Sequence, residues 1–497
     1  MANRLNLDKL NTFNNKVKTP KYKRSQISAG ILHFGIGNFH RAHQAVYLDE
    51  LFSLDDSCAN ADHQWGIIGA SVRDADMHIH QKLEAQDWLT TVVELESDTI
   101  SSRITGSMID YIQPGDTDGI LSILSNPEIR IVSMTITEGG YFIDNATGEF
   151  NPDDPEIIWD ANHIDTPKTV FGLILAGLIM RREQDIAPFT IMSCDNLSGN
   201  GYVTANAVIG LASLVEIKLA QWIKKSVAFP NSMVDRITPA TTENECKLVE
   251  HEFEIIDNWP VVCEPFRQWV LEDNFTSGRP ALDKVGVTFV DDVTPYESMK
   301  INILNGGHAA IAYPAALMDI KTVGQAMANQ LVNSYLTKLE YEEIIPSITS
   351  IENVSFTDYF EQVKTRFSNP SVGDTIKRIC YDGSNRQPKF ILPSVESNLK
   401  SGHKIKGLAL VSAFWCRYCA GFTETGIRFL PNDPIWDRLQ ISARAAKNKP
   451  KIFLQLNNVF GSLINNSTYV EEFHNALKTI WIEGTEQTLK MYVSNKL

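Results

Sequence analysis

Along the first 290 positions, short apolar runs alternate with longer segments of helical spacing. In AGILHFGIGNFHRAHQAVYLDELF, Ile31 to Phe34 read as a buried strand that Gly35 and Gly37 break. Ala42, Ala45, Val46, Leu48 and Leu51 then recur on one helical face. WGIIGASVRD (65–74), IRIVSMTIT (129–137) and PFTIMSCDN (188–196) are further strands, and TVFGLILAGLIMRR (169–182) is a helix. FPNSMVDRITP (229–239) and VGVTFVDDV (285–293) close this half. Such alternation predicts a largely parallel sheet with helices on both faces. Past residue 295 long helical patterns take over, as in VGQAMANQLVNSYLTKLEYEEIIP and PKFILPSVESNLK. The expected fold class is therefore α/β. A Rossmann-type domain with a mostly parallel sheet covers 1–290, a mainly α-helical domain covers 291–497, and the active site is expected in the cleft between them.

Composition narrows the function. A chain of 497 residues exceeds one usual hydrophobic core, and 43% apolar with 21% charged residues is an ordinary globular balance. The formal charge of −15 argues against nucleic acid and against an anionic membrane surface as partners. The N-terminal MANRLNLDKLNTFNN lacks a secretory pattern, and the longest apolar run, Val170 to Met180, is too short to span a bilayer. A cytoplasmic protein, monomeric or a small homo-oligomer, is the expectation. Seven cysteines include one C-x-x-C pair, Cys416 and Cys419. A zinc site needs four ligands and no second pair exists, so the two read as buried helix residues and no metal is expected.

The turn G35-I-G37-N38-F39-H40 carries two of the three glycines of a dinucleotide fingerprint. Gly35, Gly37, Asn38 and Phe39 are candidate cofactor contacts. His40 stands at the third position, so helix–strand packing falls to another small residue, Ala42. A purely structural strand–helix turn is the competing reading. The fingerprint also expects an acidic residue after the second strand to bind ribose hydroxyls. Asp74 ends that strand, set late by the polar insert SLDDSCANADHQ at 53–64. A carboxylate there favours NAD over NADP, although Arg73 beside it can pair with a phosphate. His40 and His43 lie three apart but lack a third ligand in range, so they read as local structure or phosphate neighbours.

The segment YESMKINILNGGHAAIAY, 296–313, holds the remaining candidate chemistry. On one α-helix, with Lys300 at zero, Glu297 falls at about 60°, His308 at about 80° and Asn305 at about 140°. All four then share a broad face. Gly306 and Gly307 each cost about 1 kcal/mol in a helix interior, which points to close approach of a ligand or another backbone. A lysine can take the proton of an alcohol as hydride leaves, if its surroundings lower its pKa from about 10.4. Side-chain amides can stabilise the reacting oxygen, and an imidazole can hold the geometry. A surface lysine on a solvated helix is the alternative.

K300-x4-N305-x2-H308 resembles the signature of the polyol-specific long-chain dehydrogenases. The resemblance extends through HFGIGNFHRAH, SMTITEGGY, TIMSCDNLSGNG, FPNSMVDRITP, EPFRQWVLEDNF, LNGGHAA and RFSNP, nearly the whole chain. It implies that Lys300 is the general acid/base and that Asn196 and Asn305 polarise the reacting oxygen. It implies that His308 positions substrate and lysine, that Asp235 and Arg378 contact polyol hydroxyls, and that Glu297 gates proton escape. Glu138 would lie near the pocket. From the residues alone, Asp235 can also be a helix cap and Arg378 an ion-pair partner. The implied reaction is metal-free, reversible oxidation of a polyol to a ketose with NAD, in the mannitol branch D-mannitol to D-fructose.

Alternatives within the family are an arabinitol dehydrogenase or a hexuronate reductase acting on fructuronate or tagaturonate. The latter needs a cation for the substrate carboxylate, which Arg378 or Lys389 can supply. Outside the family, Y296-x3-K300 matches the short-chain tyrosine–lysine pair, but at the wrong distance from the glycine turn. A non-catalytic NAD-binding module is the alternative from another class; the joint presence of Lys300, Asn196, Asn305 and His308 argues against it.

Overall fold

The computed structural model describes residues 2–13, 16–54, 62–144 and 148–497, so residues 55–61 of the polar insert lie outside the described residues. The chain divides into two compact units, Met1–Thr294 and Pro295–Leu497.

In the first unit, successive residues of the main strands face two different cores. Its main sheet joins β1 (Ala29–Phe34), β2 (Gly66–Ala70), β5 (Met108–Tyr111), β6 (Ile131–Met134) and β7 (Thr190–Ser193) in the order β5-β2-β1-β6-β7, all parallel. Ile31 pairs with Ile67 and Ile131 across the ladder. These three and Met192 face one core, with Ala45, Leu48, Leu51 and Phe52 of the helix Gln44–Phe52. Leu32, Ile68, Val132 and Ile191 face the other, under the helices Val170–Glu183 and Asn200–Val215. Strands buried on both faces read as continuous apolar runs, which is why they were legible. Thr169 starts the first of those helices by accepting a hydrogen bond from the Gly172 N–H.

Among the described strands, antiparallel ladders occur in two satellite sheets. In one, β3 (Thr90–Leu95) pairs antiparallel with β4 (Ile100–Thr105) and parallel with β9 (Val261–Cys263). In the other, β10 (Gln268–Glu272) lies between β8 (Ser232–Asp235) and β11 (Thr288–Val290). In the main sheet the chain builds β2 and β5 on one side of β1, then β6 and β7 on the other. The carboxyl ends of β1 and β6 therefore form the switch point where open α/β sheets bind ligands.

The strands end earlier than the apolar pattern suggested. β2 stops at Ala70, so Asp74 does not end it: Asp74 is exposed and opens the short 3-10 turn Asp74–Asp76. β7 stops at Ser193, so Asn196 follows the strand in an exposed bend.

In the second unit helices pack around Lys406–Cys419, whose residues from Gly407 onward are all buried. The only strand-like pairings among its described residues are isolated bridges. Cys416 and Cys419 are free and fully buried on this helix, and burial pushes both thiols up, away from reactivity. No helix among the described residues is long and apolar enough to cross a membrane.

Candidate active site

At the switch point the two turn glycines play different parts. Gly35 has φ +94°, and a Cβ there would stand 2.2 Å from the Thr135 carbonyl oxygen. Only glycine fits, because the chain after β1 passes directly against the end of β6. Thr135 Oγ1 donates to the Gly35 carbonyl at 2.7 Å. Gly37, by contrast, has ordinary backbone angles (φ −84°, ψ −178°), and nothing lies within 4 Å of a Cβ built on it. The protein itself does not require a glycine at Gly37. Open space before a helix N-terminus at the switch point suits a pyrophosphate approaching the backbone.

The helix that follows is short, Asn38–Ala42, and breaks at His43 (φ −120°, ψ −87°) before Gln44–Phe52. The side chain of Asn38 is engaged within the protein: its Nδ2 donates to the Pro239 carbonyl and to Thr241 Oγ1, both at 2.9 Å. Any cofactor contact from Asn38 therefore falls to its backbone. Phe39 stacks on His43 at 4.8 Å. The missing third glycine is resolved by His40, whose ring lies on His33 of β1 with centroids 3.6 Å apart. Ala42, the expected substitute, instead packs with Val46, Val92, Val261 and Cys263. His43 Nε2 is hydrogen-bonded to the Gln268 carbonyl at 3.0 Å. Burial lowers both His40 and His43 to about 3, so both rings are neutral structural elements.

Two carboxyl-edge loops carry the other candidates of this unit. Asp195, buried, accepts hydrogen bonds from the Ile136 and Thr137 N–H groups, each at 2.9 Å, and from the Tyr141 hydroxyl at 2.6 Å. It thereby ties the loop after β6 to the bend holding Asn196. Sequence reasoning passed over Asp195, although it immediately precedes the candidate amide. Glu138 is exposed at the start of the turn Glu138–Tyr141, just after Thr137 with its left-handed φ of 64°. Asp235 is buried at the end of β8, a strand terminus rather than a helix cap. Arg73 is exposed and paired with Asp76, Nη2 to Oδ1 3.3 Å.

In the second unit the 296–313 segment is not one α-helix. Thr294–Met299 is α-helical, Lys300–Asn305 is a π-helix, and Gly306–Leu317 is α-helical again. The Gly306 N–H donates to the Ile301 carbonyl five residues back. The wider turn overturns the 100° spacing between Lys300 and Asn305; π turns of this kind are frequent at functional sites. Lys300 and Glu297 are buried. Asn305 Oδ1 and His308 Nε2 are both buried and without a hydrogen-bond partner, so each has hydrogen-bonding capacity that the protein leaves unused.

The glycine pair is explained by its neighbours. A Cβ on Gly306 would stand 3.2 Å from the Phe390 carbonyl oxygen; one on Gly307 would stand 3.2 Å from Glu340 Oε1 and 3.5 Å from the Phe367 ring. Phe367 in turn stacks on His308, centroids 4.0 Å apart and planes 11° apart. The glycines admit the Phe390 carbonyl and the Glu340 carboxyl, and Gly307 also leaves room for the Phe367 ring that stacks on the imidazole.

Apart from Arg378, the charged residues around His308 are ones the sequence reading did not single out. Asp374 Oδ2 lies 3.8 Å from His308 Nε2. Burial lowers the imidazole to about 3; Asp374 opposes this, while Arg378, Arg366 and Arg386 reinforce it. Arg378, expected as a hydroxyl contact, holds Asp374 in a two-pronged pair, Nε to Oδ1 2.6 Å and Nη2 to Oδ2 2.5 Å. Burial raises the Asp374 carboxyl, but the Arg378 fork outweighs it and holds the group below its ordinary value. Arg386 Nη1 donates to the Ile379 carbonyl at 2.9 Å. Lys389 is exposed on the helix Gly383–Phe390. The D-x3-R spacing of Asp374 and Arg378 was the available signal for this pair.

Fold and site together define a dinucleotide-binding type of α/β domain followed by a helical domain with a buried lysine, amide and imidazole. Residues 29–284 match the mannitol dehydrogenase Rossmann domain, and residues 292–481 match the mannitol dehydrogenase C-terminal domain. The chain belongs to the mannitol dehydrogenase family. It is 51% identical to a mannitol 2-dehydrogenase of Cereibacter sphaeroides over 479 residues, covering 96% of this chain and 99% of the relative. It is 38% identical to mannitol dehydrogenase 2 of Saccharomyces cerevisiae, covering 98% and 97%. Among solved structures, Pseudomonas fluorescens mannitol 2-dehydrogenase in ternary complex with NAD and D-mannitol superposes with TM-score 0.84 at 40% identity, covering 99% and 100%. A substrate-free D-sorbitol dehydrogenase superposes with TM-score 0.91 at 31% identity, covering 98% and 100%.

Proposed function

We propose that the chain oxidises D-mannitol to D-fructose with NAD, reversibly and without a metal. The observation that carries this reading is the buried Lys300 on a π turn that leads to two unpartnered buried atoms, Asn305 Oδ1 and His308 Nε2. In a chain 51% identical to a mannitol 2-dehydrogenase, these are the groups the chemistry needs. Gly37 and the first amides of its helix would hold the pyrophosphate. Asp74 would face the ribose, with Arg73 engaged by Asp76 rather than by a 2′-phosphate. NAD bound there would supply the acceptor for the hydride from C2. Lys300 takes the proton of the C2 hydroxyl, Asn196 and Asn305 polarise its oxygen, and neutral His308 orients it. Glu297, three residues before Lys300, passes the proton outward. Asp235 and Arg378 hold the remaining hydroxyls, and Glu138 and Lys389 border the pocket.

The test is a panel of mannitol, arabinitol, sorbitol, fructose and fructuronate, each with NAD(H) and NADP(H), followed at the absorbance of the reduced cofactor. Mannitol and fructose with NAD(H) should give the highest kcat/KM, unaffected by chelators. Sorbitol is the informative rival, given the second structural likeness. NADP equal to NAD would refute the cofactor assignment. K300A should cost about 10²- to 10⁴-fold in kcat, while Y296F should be mild. Asn196 and Asn305 lie in different units, so their joint action on one oxygen needs its own test. N196A and N305A should each cost about 10²- to 10³-fold. Their double variant should lose less than the product, because the two share one oxygen; full multiplicativity would refute the shared role. Oxidation should rise with pH as Lys300 loses its proton, and a flat profile would remove it as the base. Size-exclusion chromatography with light scattering, and cell fractionation, test the monomer or small oligomer and the cytoplasmic location.

A further inference from the structure

We infer that Asp374 is the residue that restricts this site to uncharged polyols and ketoses and turns away sugar acids. The inference rests on the polyol reading above and names the substrate class of the same site. A carboxylate is best recognised by the two parallel N–H groups of an arginine fork. Arg378 carries such a fork close to His308, and both prongs, Nε and Nη2, are already bound to the two oxygens of Asp374. A hydroxyl asks for less. It needs a single donor or acceptor, which the rest of the guanidinium can still provide.

Asp374 is held firmly in this post. Its side chain is 10% exposed. Its backbone carbonyl accepts from the Val323 N–H at 3.0 Å. The helix Ile376–Ile379 that bears Arg378 is capped by Thr375, whose hydroxyl accepts from the Arg378 N–H. Asp374 Oδ2 also lies 3.8 Å from His308 Nε2. Its negative charge therefore stands beside the imidazole assigned to orient the substrate, where it would repel a second carboxylate. Three arginines, Arg366, Arg378 and Arg386, act on His308, which alone would suggest an anion site. Asp374 reverses that impression by occupying the fork best aimed to bind one.

The experiment compares wild type with D374N and D374S. Each reduces fructose and a keto sugar acid of the same carbon number, with thermal unfolding as the check on folding. D374N should raise the ratio of kcat/KM for the keto acid over that for fructose by on the order of 10- to 100-fold. An unchanged ratio in folded variants, or a wild type that already prefers the acid, would overturn the inference. Should neither variant fold, the wild type decides. Gluconate should inhibit mannitol oxidation at least about 10-fold more weakly than its neutral counterpart sorbitol competes, and equal potency would overturn the inference. A wild type that turns over neither fructose nor mannitol would instead refute the polyol reading itself.

Discussion

Replacing Glu340 with glutamine is expected to make the protein more stable at alkaline pH, by a margin that grows with pH. Glu340 is fully buried, neither carboxyl oxygen has a hydrogen-bond partner, and its Oε1 packs beside Gly307. Burial pushes its carboxyl well above the ordinary 4.5, so the folded protein holds it as the neutral acid. The unfolded chain ionises it above that ordinary value and so binds fewer protons. Stability must then fall as pH rises, by about 1.4 kcal/mol per pH unit, until the pH reaches the folded value. Each pH unit of that fall corresponds to on the order of 3–6 °C in Tm for a domain of about 200 residues. Glutamine has the same shape and no charge to lose. Its own unpartnered amide adds an offset that does not vary with pH. Glu343 provides the contrast. Its carboxylate accepts from the Gly407 and Leu408 N–H groups and from the Tyr492 hydroxyl, so it caps the central helix Lys406–Cys419. Scanning calorimetry of wild type and E340Q from pH 5 to 9 reads the difference. Parallel Tm profiles would refute the reasoning. A rising gap would mean that Glu340, packed against Gly307, limits how alkaline the enzyme can run.

Three further outcomes follow from the same geometry. G35A should abolish folding or soluble expression, since its Cβ meets the Thr135 carbonyl, whereas G37A should keep wild-type Tm and weaken NADH binding in a fluorescence titration. An unchanged NADH affinity in G37A would remove the pyrophosphate from that turn. G306A should lower Tm despite alanine's better helix propensity, costing about 1–3 kcal/mol as the Phe390 carbonyl is pushed away. Acid should destabilise the fold well above the carboxylate range. His40, His43 and His308 are held neutral to about 3, so each contributes stability that is whole above pH 6.5 and lost as pH falls toward 3, at about 1.4 kcal/mol per unit. Urea midpoints at pH 7, 6, 5 and 4 measure this, and a flat series would contradict it.

The parallel sheet was legible because its strands are apolar on both faces and separated by glycines and helical spacing. Their ends were not. Single apolar residues such as Val72 and Ile136 follow β2 and β6 and prolong the pattern by a few positions, while the backbone leaves the ladder. The Ile136 and Thr137 amides turn to the Asp195 carboxylate, which a strand pattern cannot distinguish from another strand. The third fingerprint position failed for a similar reason. An absent glycine shows in the sequence, but the partner of His40 is His33, on the preceding strand and one ring thickness away. Asp374 was missed because it precedes its helix by two residues, outside the periodic segment where ion pairs are sought.

The π turn is the deepest of these cases, because nothing local specifies it. Lys300 to Asn305 contains good helix formers, and at an α spacing its polar residues already share a broad face. What holds the wider turn lies mostly elsewhere in the unit. Asn302 Oδ1 accepts from Ser394 Oγ at 3.0 Å, and Asn302 Nδ2 donates to the Ser298 carbonyl at 2.7 Å. The Gly306 and Gly307 backbones meet Phe390 and Glu340, and Glu340 itself opens a second π segment, Glu340–Ile344. Two π turns packed back to back at a glycine pair make a costly local structure that survives because the tertiary contacts over-determine it. The two glycines recorded that cost in the sequence. Its cause lay 33 positions from Gly307, in Glu340, and 84 from Gly306, in Phe390.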